Sequence, residues 1–276
     1  MDRIRLIASD MDATLLDEQS QLPADFEETI HALAELGIRF APASGRPLYT
    51  LEELFPTLRD ELVFIGDNGG AIRWHGQNLF TSEMSPEGWR ALNHLTREQG
   101  DIAVLCGLES AYVERSFAVH DAVLRHFYTK IEYVDRLEDV TAPADKFTIY
   151  LPQHNAQQAY DTVYASQRSI YSVAVAGECW VDIMNPGVHK GAALEVLGRA
   201  WGLPSESMMA FGDTYNDAEM LRTAKYGFLM ENGSVPLRRN VPFLAPSHRE
   251  AGVMQVLHRV LAQNGCVCPE DFIPAH

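Results

Sequence analysis

Positive charge is what this sequence has least of: 22 lysines and arginines stand against 38 aspartates and glutamates, a formal net charge of −16 over 276 residues. A surface that acidic repels the phosphate backbone of nucleic acids and anionic membrane faces, since both are bound through basic side chains, and neither is expected as a partner. Free phosphate esters are repelled as well, so a site for an anionic substrate must carry its own cation: a metal ion, an arginine or a lysine. Cysteine is also scarce. Cys106, Cys179, Cys266 and Cys268 are too few and too scattered for the disulfide framework of a secreted domain, and Cys266-Val267-Cys268 has no second pair to complete a metal site. No stretch approaches the roughly 18 apolar residues of a membrane span. The N-terminal apolar run Leu6-Ile7-Ala8 falls short of the roughly 7–15 residues of a signal peptide. Reduced thiols in a cytoplasmic protein are therefore expected. A G-x-G-x-x-G turn after the first strand is absent too, which argues against a dinucleotide-binding dehydrogenase.

What is present is an ordinary globular composition, 46% hydrophobic and 22% charged, on a chain long enough for two domains at roughly 150 residues each. Leu6–Ser9 reads as a buried strand ending at Asp10. Phe26, Ile30, Leu33 and Leu36 recur at helical spacing until Gly37; Ile38 to Ala43 reads as a strand, Leu48 to Phe55 as a helix and Leu62 to Ile65 as a third strand. This β-α-β-α-β rhythm predicts an α/β, doubly wound parallel sheet with right-handed crossovers. Ala71–Trp74 and Gln77–Thr81 read as a hairpin, and Ser85-Pro86 opens a helix. From there to about residue 186 the rhythm changes to strands with few helices, an α+β insert pictured as an open antiparallel sheet with helices on one face. The α/β rhythm returns at Lys190, with strands at Ser207–Phe211 and Tyr226–Leu229. The predicted organisation is a discontinuous core, residues 1–84 and 187–276, carrying an insert, residues 85–186.

In a doubly wound sheet, ligands bind beyond the carboxyl ends of the strands, and four polar clusters fall on that edge. Asp10-Met11-Asp12 places two carboxylates one residue apart, able to act as nucleophile and proton carrier or to hold a hard cation. Ser44-Gly45-Arg46 offers a hydroxyl and free N–H groups for phosphoryl oxygens. Lys190 stands in the first turn of a helix, the end whose dipole disfavours a cation, which points to an anionic partner. Gly212-Asp213-Thr214-Tyr215-Asn216-Asp217 adds two acids, with Asp217 placed to cap the following helix. Each cluster taken singly is also an ordinary turn, cap or surface residue; their coincidence on one edge is what carries weight.

As an ordered set these residues resemble the motifs of the haloacid dehalogenase superfamily phosphatases, more narrowly the Cof-type group with a large type-IIB cap between the second and third motifs. Asp10-Met11-Asp12-x-Thr14 matches the first motif, Ser44 the second, Lys190 the third and Gly212-Asp213-x-x-x-Asp217 the fourth. Asn68-Gly69, Asn185-Pro186-Gly187 and Glu231-Asn232-Gly233 fit the surrounding pattern. The resemblance implies a cytoplasmic Mg²⁺-dependent hydrolase of small phosphorylated metabolites. Asp10 would be its nucleophile, Asp12 its acid and base, Ser44 a phosphoryl ligand and Lys190 the charge-balancing cation. Mg²⁺ would be held by Asp10, the main-chain carbonyl of Asp12, and Asp213, with Asp217 a ligand or just behind. Thr14, Gly45, Arg46, Asn68 and Asn216 would line the substrate site. The insert would close over it as a cap, with Arg115, His120, Arg125, Glu178, Asp182 and Asn185 as candidates for selecting the leaving group. Two positions depart from the pattern. Ala13 stands where glycine is usual, and His189 precedes Lys190 where a small polar residue is commoner; an exposed surface histidine is the expectation there. A phosphomutase of the same fold and a non-catalytic phospho-ligand-binding protein are the alternatives, the second disfavoured by the intact set Asp10, Asp12, Lys190 and Asp213. A monomer or weak homodimer is expected.

Overall fold

The computed structural model describes residues 1–276. Its core is a six-stranded sheet in the order Arg39–Pro42, Leu6–Ser9, Met208–Gly212, Tyr226–Met230, Phe243–Ala245 and Ile273–Pro274, parallel throughout except for the last strand. Side-chain alternation sends neighbours to opposite faces. Ile7, Met209 and Phe211 pack with Phe26, Ile30 and Leu33 of helix Phe26–Glu35 and with Val253 and Leu257 of helix Gly252–Ala262. Leu6, Ala8 and Ala210 pack on the other face with Leu194 and Leu197 of helix Lys190–Trp201 and with Met220 and Leu221 of Ala218–Thr223. Helices thus cover both faces, as the doubly wound reading requires. Each large apolar side chain so buried contributes roughly 1.5–3 kcal/mol. Stability therefore sits in the layers, and the turns at the strand ends are free to hold strained shapes.

Two features differ from the sequence expectation. Val63–Gly66 is not a full member of the parallel sheet. It pairs antiparallel with Ala71–Trp74, which pairs in turn with Gln77–Thr81, and it touches the core sheet through one parallel bridge, Ala43 to Ile65. The chain turns away at Ser44-Gly45-Arg46-Pro47, so the ladder lasts a single residue. The second sheet, within the insert, runs Ser172–Val175, Trp180–Met184, Ala144–Tyr150, Ile102–Gly107, Ala111–Glu114, Ile131–Val134. Its last pair is parallel, because helix Asp121–Phe127 and the turn before it form a crossover between those strands. Helices Pro86–Gln99 and Ala156–Asp161 cover one face of this sheet, while Leu124 and Tyr128 pack on the other. Helices therefore lie on both faces rather than one. Helix Ala156–Asp161 is short and is followed by a 3₁₀ turn, Ala165–Ser169.

At the end of the first strand the Leu16 N–H donates to the Met11 carbonyl at 2.9 Å, closing a wide turn. Within it Asp12 is extended (φ −74°, ψ 130°) and Ala13 is left-handed (φ 59°, ψ 13°). This is the conformation in which a Cβ costs about 1–2 kcal/mol. Glycine in its place relieves that strain but loses more backbone entropy on folding. Ala13→Gly is expected to raise stability by up to about 1 kcal/mol, read as a higher urea midpoint at unchanged m-value. A fall in the midpoint would show that the strain at Ala13 is smaller than the backbone entropy glycine loses there.

Candidate active site

The two polar turns flanking the middle of the core sheet converge because Leu6–Ser9 and Met208–Gly212 are adjacent and parallel. Asp10 ends the first, its N–H bonded to the Phe211 carbonyl at 3.0 Å. Asp213 follows the second. Helix Lys190–Trp201 points its first residue at them. The Lys190 side chain is fully buried, and its Nζ donates to Asp10 Oδ1 at 2.5 Å and to Asp217 Oδ1 at 2.7 Å. Two close approaches set that position. A Cβ on Gly191 would lie 2.6 Å from the Glu219 backbone, and one on Gly69 would lie 2.5 Å from the His189 carbonyl oxygen. His189 itself is no surface bystander: its Nδ1 accepts from the Ala192 N–H at 3.0 Å and caps the helix that presents Lys190.

Asp217 does not cap forward into Ala218–Thr223. Its Oδ2 accepts from the N–H groups of Asp213 and Thr214 at 3.0 and 3.1 Å, bracing the turn behind it. Carboxylate oxygens of Asp10, Asp213 and Asp217 all lie within 4.8 Å of one another. Three acids around one ammonium leave an excess of negative charge, and the electrostatics follow. Burial, reinforced by the charge of Asp217, pushes the Asp10 carboxyl up to about 8, although Lys190 pulls the other way. Burial and Asp217 likewise push Asp213 up to about 6. Burial alone would pull the Lys190 ammonium down, but Asp10 and Asp217 outweigh it and hold it above the usual lysine range. An all-oxygen donor set with unbalanced negative charge fits a hard divalent cation such as Mg²⁺.

The Asp12 carboxylate lies outside this group. It is more than half exposed and is bound by Arg46, whose NH2 donates to both of its oxygens at 2.8 and 3.0 Å. Ser44 Oγ accepts from the Arg46 N–H at 3.1 Å, which leaves the hydroxyl proton free to donate elsewhere. Asp10, Asp12, Ser44, Gly45, Arg46, Asn68, Asp213 and Asn216 line one side of a cavity of about 520 Å³. Lys190 and Asp217 sit behind that wall. Thr14 is buried and is not part of the lining, and its Oγ1 has no hydrogen-bond partner.

The other side of the cavity comes from the insert. Of the six insert residues singled out from sequence, Asp182 alone lines it. Arg115 pairs with Asp135, Arg125 with Asp121 and Glu178 with His154, all on exposed surface, and His120 packs edge-on against Tyr150. Asn185 donates to the carbonyls of Ser82 and Glu83, tying together the two chain segments that join insert and core. Sequence reasoning missed Lys146, Thr148, Phe127, Tyr128 and Trp180, which do line the cavity. Lys146 Nζ reaches from the insert to the Gly45 carbonyl at 2.6 Å and to Asp67 at 2.9 Å, while Asn68 donates to Asp182 at 3.0 Å. One signal was available: Lys146 and Thr148 are polar at alternate positions of the strand Ala144–Tyr150, opposite the apolar Phe147 and Ile149, which marks one face as meeting something polar.

A family model described as haloacid dehalogenase-like hydrolase matches residues 7–257. A 5-amino-6-(5-phospho-D-ribitylamino)uracil phosphatase of Escherichia coli K12 is 32% identical over 262 residues, covering 94% of this chain and 96% of that one. An HMP-PP phosphatase of Cronobacter sakazakii is 29% identical, covering 87% and 89%. Among solved structures, a Streptococcus mutans protein superposes with a TM-score of 0.85 at 28% identity, covering 94% of this chain and 99% of its own. A haloacid dehalogenase-like hydrolase from Bacteroides thetaiotaomicron superposes at 0.82 over 94% and 100%, and its 24% identity speaks to the fold alone. No helix of this chain is long and apolar enough to cross a membrane. With the match spanning nearly the whole sequence and the acidic cluster standing at the carboxyl edge of the core sheet, the chain belongs to the haloacid dehalogenase-like hydrolases.

Proposed function

We propose that this hydrolase is a cytoplasmic, Mg²⁺-dependent phosphatase of small phosphorylated metabolites that works through an aspartyl-phosphate on Asp10. The observation that carries the reading is the buried Lys190 bonded to Asp10 and Asp217, with Asp10 facing a cavity beside the Ser44 hydroxyl. A carboxylate cannot approach a phosphate dianion unless positive charge offsets their repulsion. Lys190 supplies one such charge and fixes the rotation of the Asp10 carboxylate. Mg²⁺, held by Asp10, Asp213 and the main-chain carbonyl of Asp12, would supply the rest. Both Asp217 oxygens already have partners, so its part is to brace Lys190 and the turn at Asp213.

In the first step an Asp10 oxygen bonds to phosphorus, the bond from phosphorus to the leaving oxygen breaks, and Asp12 gives that oxygen a proton. In the second, Asp12 takes a proton from water, the water oxygen bonds to phosphorus, and the bond to Asp10 breaks to free phosphate and restore the carboxylate. Ser44 donates its hydroxyl proton to a phosphoryl oxygen, and Arg46 holds Asp12 over the cavity. Residues 85–186 act as a cap on a core of residues 1–84 and 187–276, excluding water during transfer. A mutase is disfavoured only by the relatives, which are named phosphatases.

Phosphate release from p-nitrophenyl phosphate is expected with Mg²⁺ and to be lost with EDTA. Asp10→Asn is expected to lower turnover by about 10³-fold or more and Asp12→Asn by about 10²–10⁴-fold; Asp10→Asn turning over at the parent rate would contradict the reading. Because burial and Asp217 push the Asp213 carboxyl up to about 6 and the Asp10 carboxyl up to about 8, Mg²⁺ binding at these oxygens is expected to displace protons, chiefly from Asp10 at neutral pH. Its affinity should rise from pH 6 to pH 8, by up to about tenfold per unit for each proton displaced. Calorimetry in buffers of different ionisation enthalpy checks this, and a pH-independent affinity with no proton release would exclude these carboxylates as the ligands.

A further inference from the structure

The cavity is chemically divided. Its core side is mainly polar, with Ala13, Pro47 and Tyr215 the exceptions, whereas the insert contributes Phe127, Tyr128, Val175, Ala176 and Trp180. These aromatic residues form one packed group: Phe127 meets Trp180 edge-on at 4.9 Å between ring centroids, and Tyr128 and Tyr150 pack against Trp180 at 6.3 and 4.7 Å. The charged and hydroxyl side chains that the insert brings to the cavity, Lys146, Thr148 and Asp182, lie on the adjacent strands Ala144–Tyr150 and Trp180–Met184. Among them Thr148 donates to Asp182 Oδ1 at 2.7 Å, and Asn68 donates to Asp182 Oδ2 at 3.0 Å. Lys146 is bonded to the Gly45 carbonyl and Asp67 and stands 3.7 Å from Asp182 Oδ2; each Asp182 oxygen keeps a second acceptor site for a ligand. A phosphoryl group seated at Asp10 and Ser44 fills little of the 520 Å³, a volume in the range that encloses a drug-sized ligand.

We infer that the leaving group is a short chain ending in a planar nitrogen heterocycle, stacked against Phe127 and Trp180 with a ring N–H or NH₂ directed to the carboxylate of Asp182. This deepens the phosphatase reading and rests on it for the placement of the phosphoryl end. The chemistry favours a flat ring over a sugar or polyol. A chain with a hydroxyl on every carbon would leave several of them unpaired against Phe127, Val175, Ala176 and Trp180. An aromatic ring instead presents apolar faces and keeps its polar atoms on its edge. Asp182 is acceptor-only when ionised, which selects an edge that donates. Phe127 and Trp180 are specificity residues in this account and take no part in the bond changes.

The test compares ring-bearing esters (uridine 5′-monophosphate, flavin mononucleotide, pyridoxine 5′-phosphate) with ring-free ones (ribose 5-phosphate, glucose 6-phosphate, glycerol 3-phosphate). The best ring-bearing ester is expected to exceed the best ring-free one by at least about tenfold in kcat/KM, the scale of base–aromatic stacking. Phe127→Leu and Trp180→Leu should each shrink that ratio, whereas a mere folding defect would lower both classes alike. Equal kcat/KM for the two classes, or a ratio unmoved by both variants, overturns the inference while leaving the phosphatase intact. Should no ester be hydrolysed, the phosphatase reading fails separately. Calorimetric binding of the same esters to Asp10→Asn protein then decides the ring preference, and equal affinities overturn it.

Discussion

One lysine ammonium, sealed away from water, decides how the carboxyl edge of this sheet is built. Lys190 meets Asp10 and Asp217 at 2.5 and 2.7 Å with no exposed surface of its own. A buried ion pair yields little net stability, because desolvation consumes the attraction, but removing one partner leaves an unpaired charge that costs about 3–5 kcal/mol. The arrangement is thus all or nothing. It also explains local choices that look arbitrary alone: glycine at 191, where the helix start presses on Glu219, and the backbone N–H groups that Asp217 gathers from Asp213 and Thr214. The same cluster keeps more acid than base, which raises the carboxyls of Asp10 and Asp213 and makes a divalent cation its natural complement.

The second dependence runs across the cavity. Lys146 and Asp182 belong to the insert, yet their partners Gly45, Asp67 and Asn68 belong to the core. Burial and neighbouring acids act on the whole seam: the Asp145 carboxyl, buried with no hydrogen-bond partner, is pushed far up by burial and by Asp67. The roof of the site is therefore positioned by polar contacts between segments about a hundred residues apart in sequence, among them Lys146 to Gly45 at |i−j| = 101 and Asn68 to Asp182 at 114. Its aromatic face is positioned mainly by apolar packing among Phe127, Tyr128, Tyr150 and Trp180, with one tie to the core where the Thr129 N–H donates to Thr50 Oγ1 at 3.1 Å.

That division also explains what was legible in the sequence. Asp10, Ser44 and Asp213 could be placed because strand periodicity fixes where each core strand ends, and a parallel sheet sends those ends to one edge; Lys190 stood out as a cation in the first turn of a helix. The single-bridge attachment of Val63–Gly66 was not legible, since a turn at Ser44–Pro47 reads the same whether the ladder continues or stops. Asp217 was read as a forward cap because its sequence position allows it; only the neighbouring Asp213 and Thr214 N–H groups and Lys190 redirect it. Lys146 and Trp180 escaped because alternation tells which residues share a face of the insert sheet but not which face meets the core, and Phe127 because it ends a helix that packs on that face. Arg115, Arg125 and Glu178 were candidates for the opposite reason: charge alone does not say which way a side chain points, and each has found a surface partner.

The central claim is a covalent bond between phosphorus and Asp10, and trapping that bond tests it most directly. Asp12→Asn protein, which lacks the group that activates water, would be mixed with Mg²⁺ and ³²P-labelled p-nitrophenyl phosphate, whose leaving group needs no proton from Asp12, then quenched in acid and digested. The account predicts acid-stable, hydroxylamine-sensitive label on the peptide containing Asp10, and none in the double variant carrying both Asp12→Asn and Asp10→Asn. Label on another residue, or phosphate release from this ester at a parent-like rate with no labelled protein at any time, would contradict it.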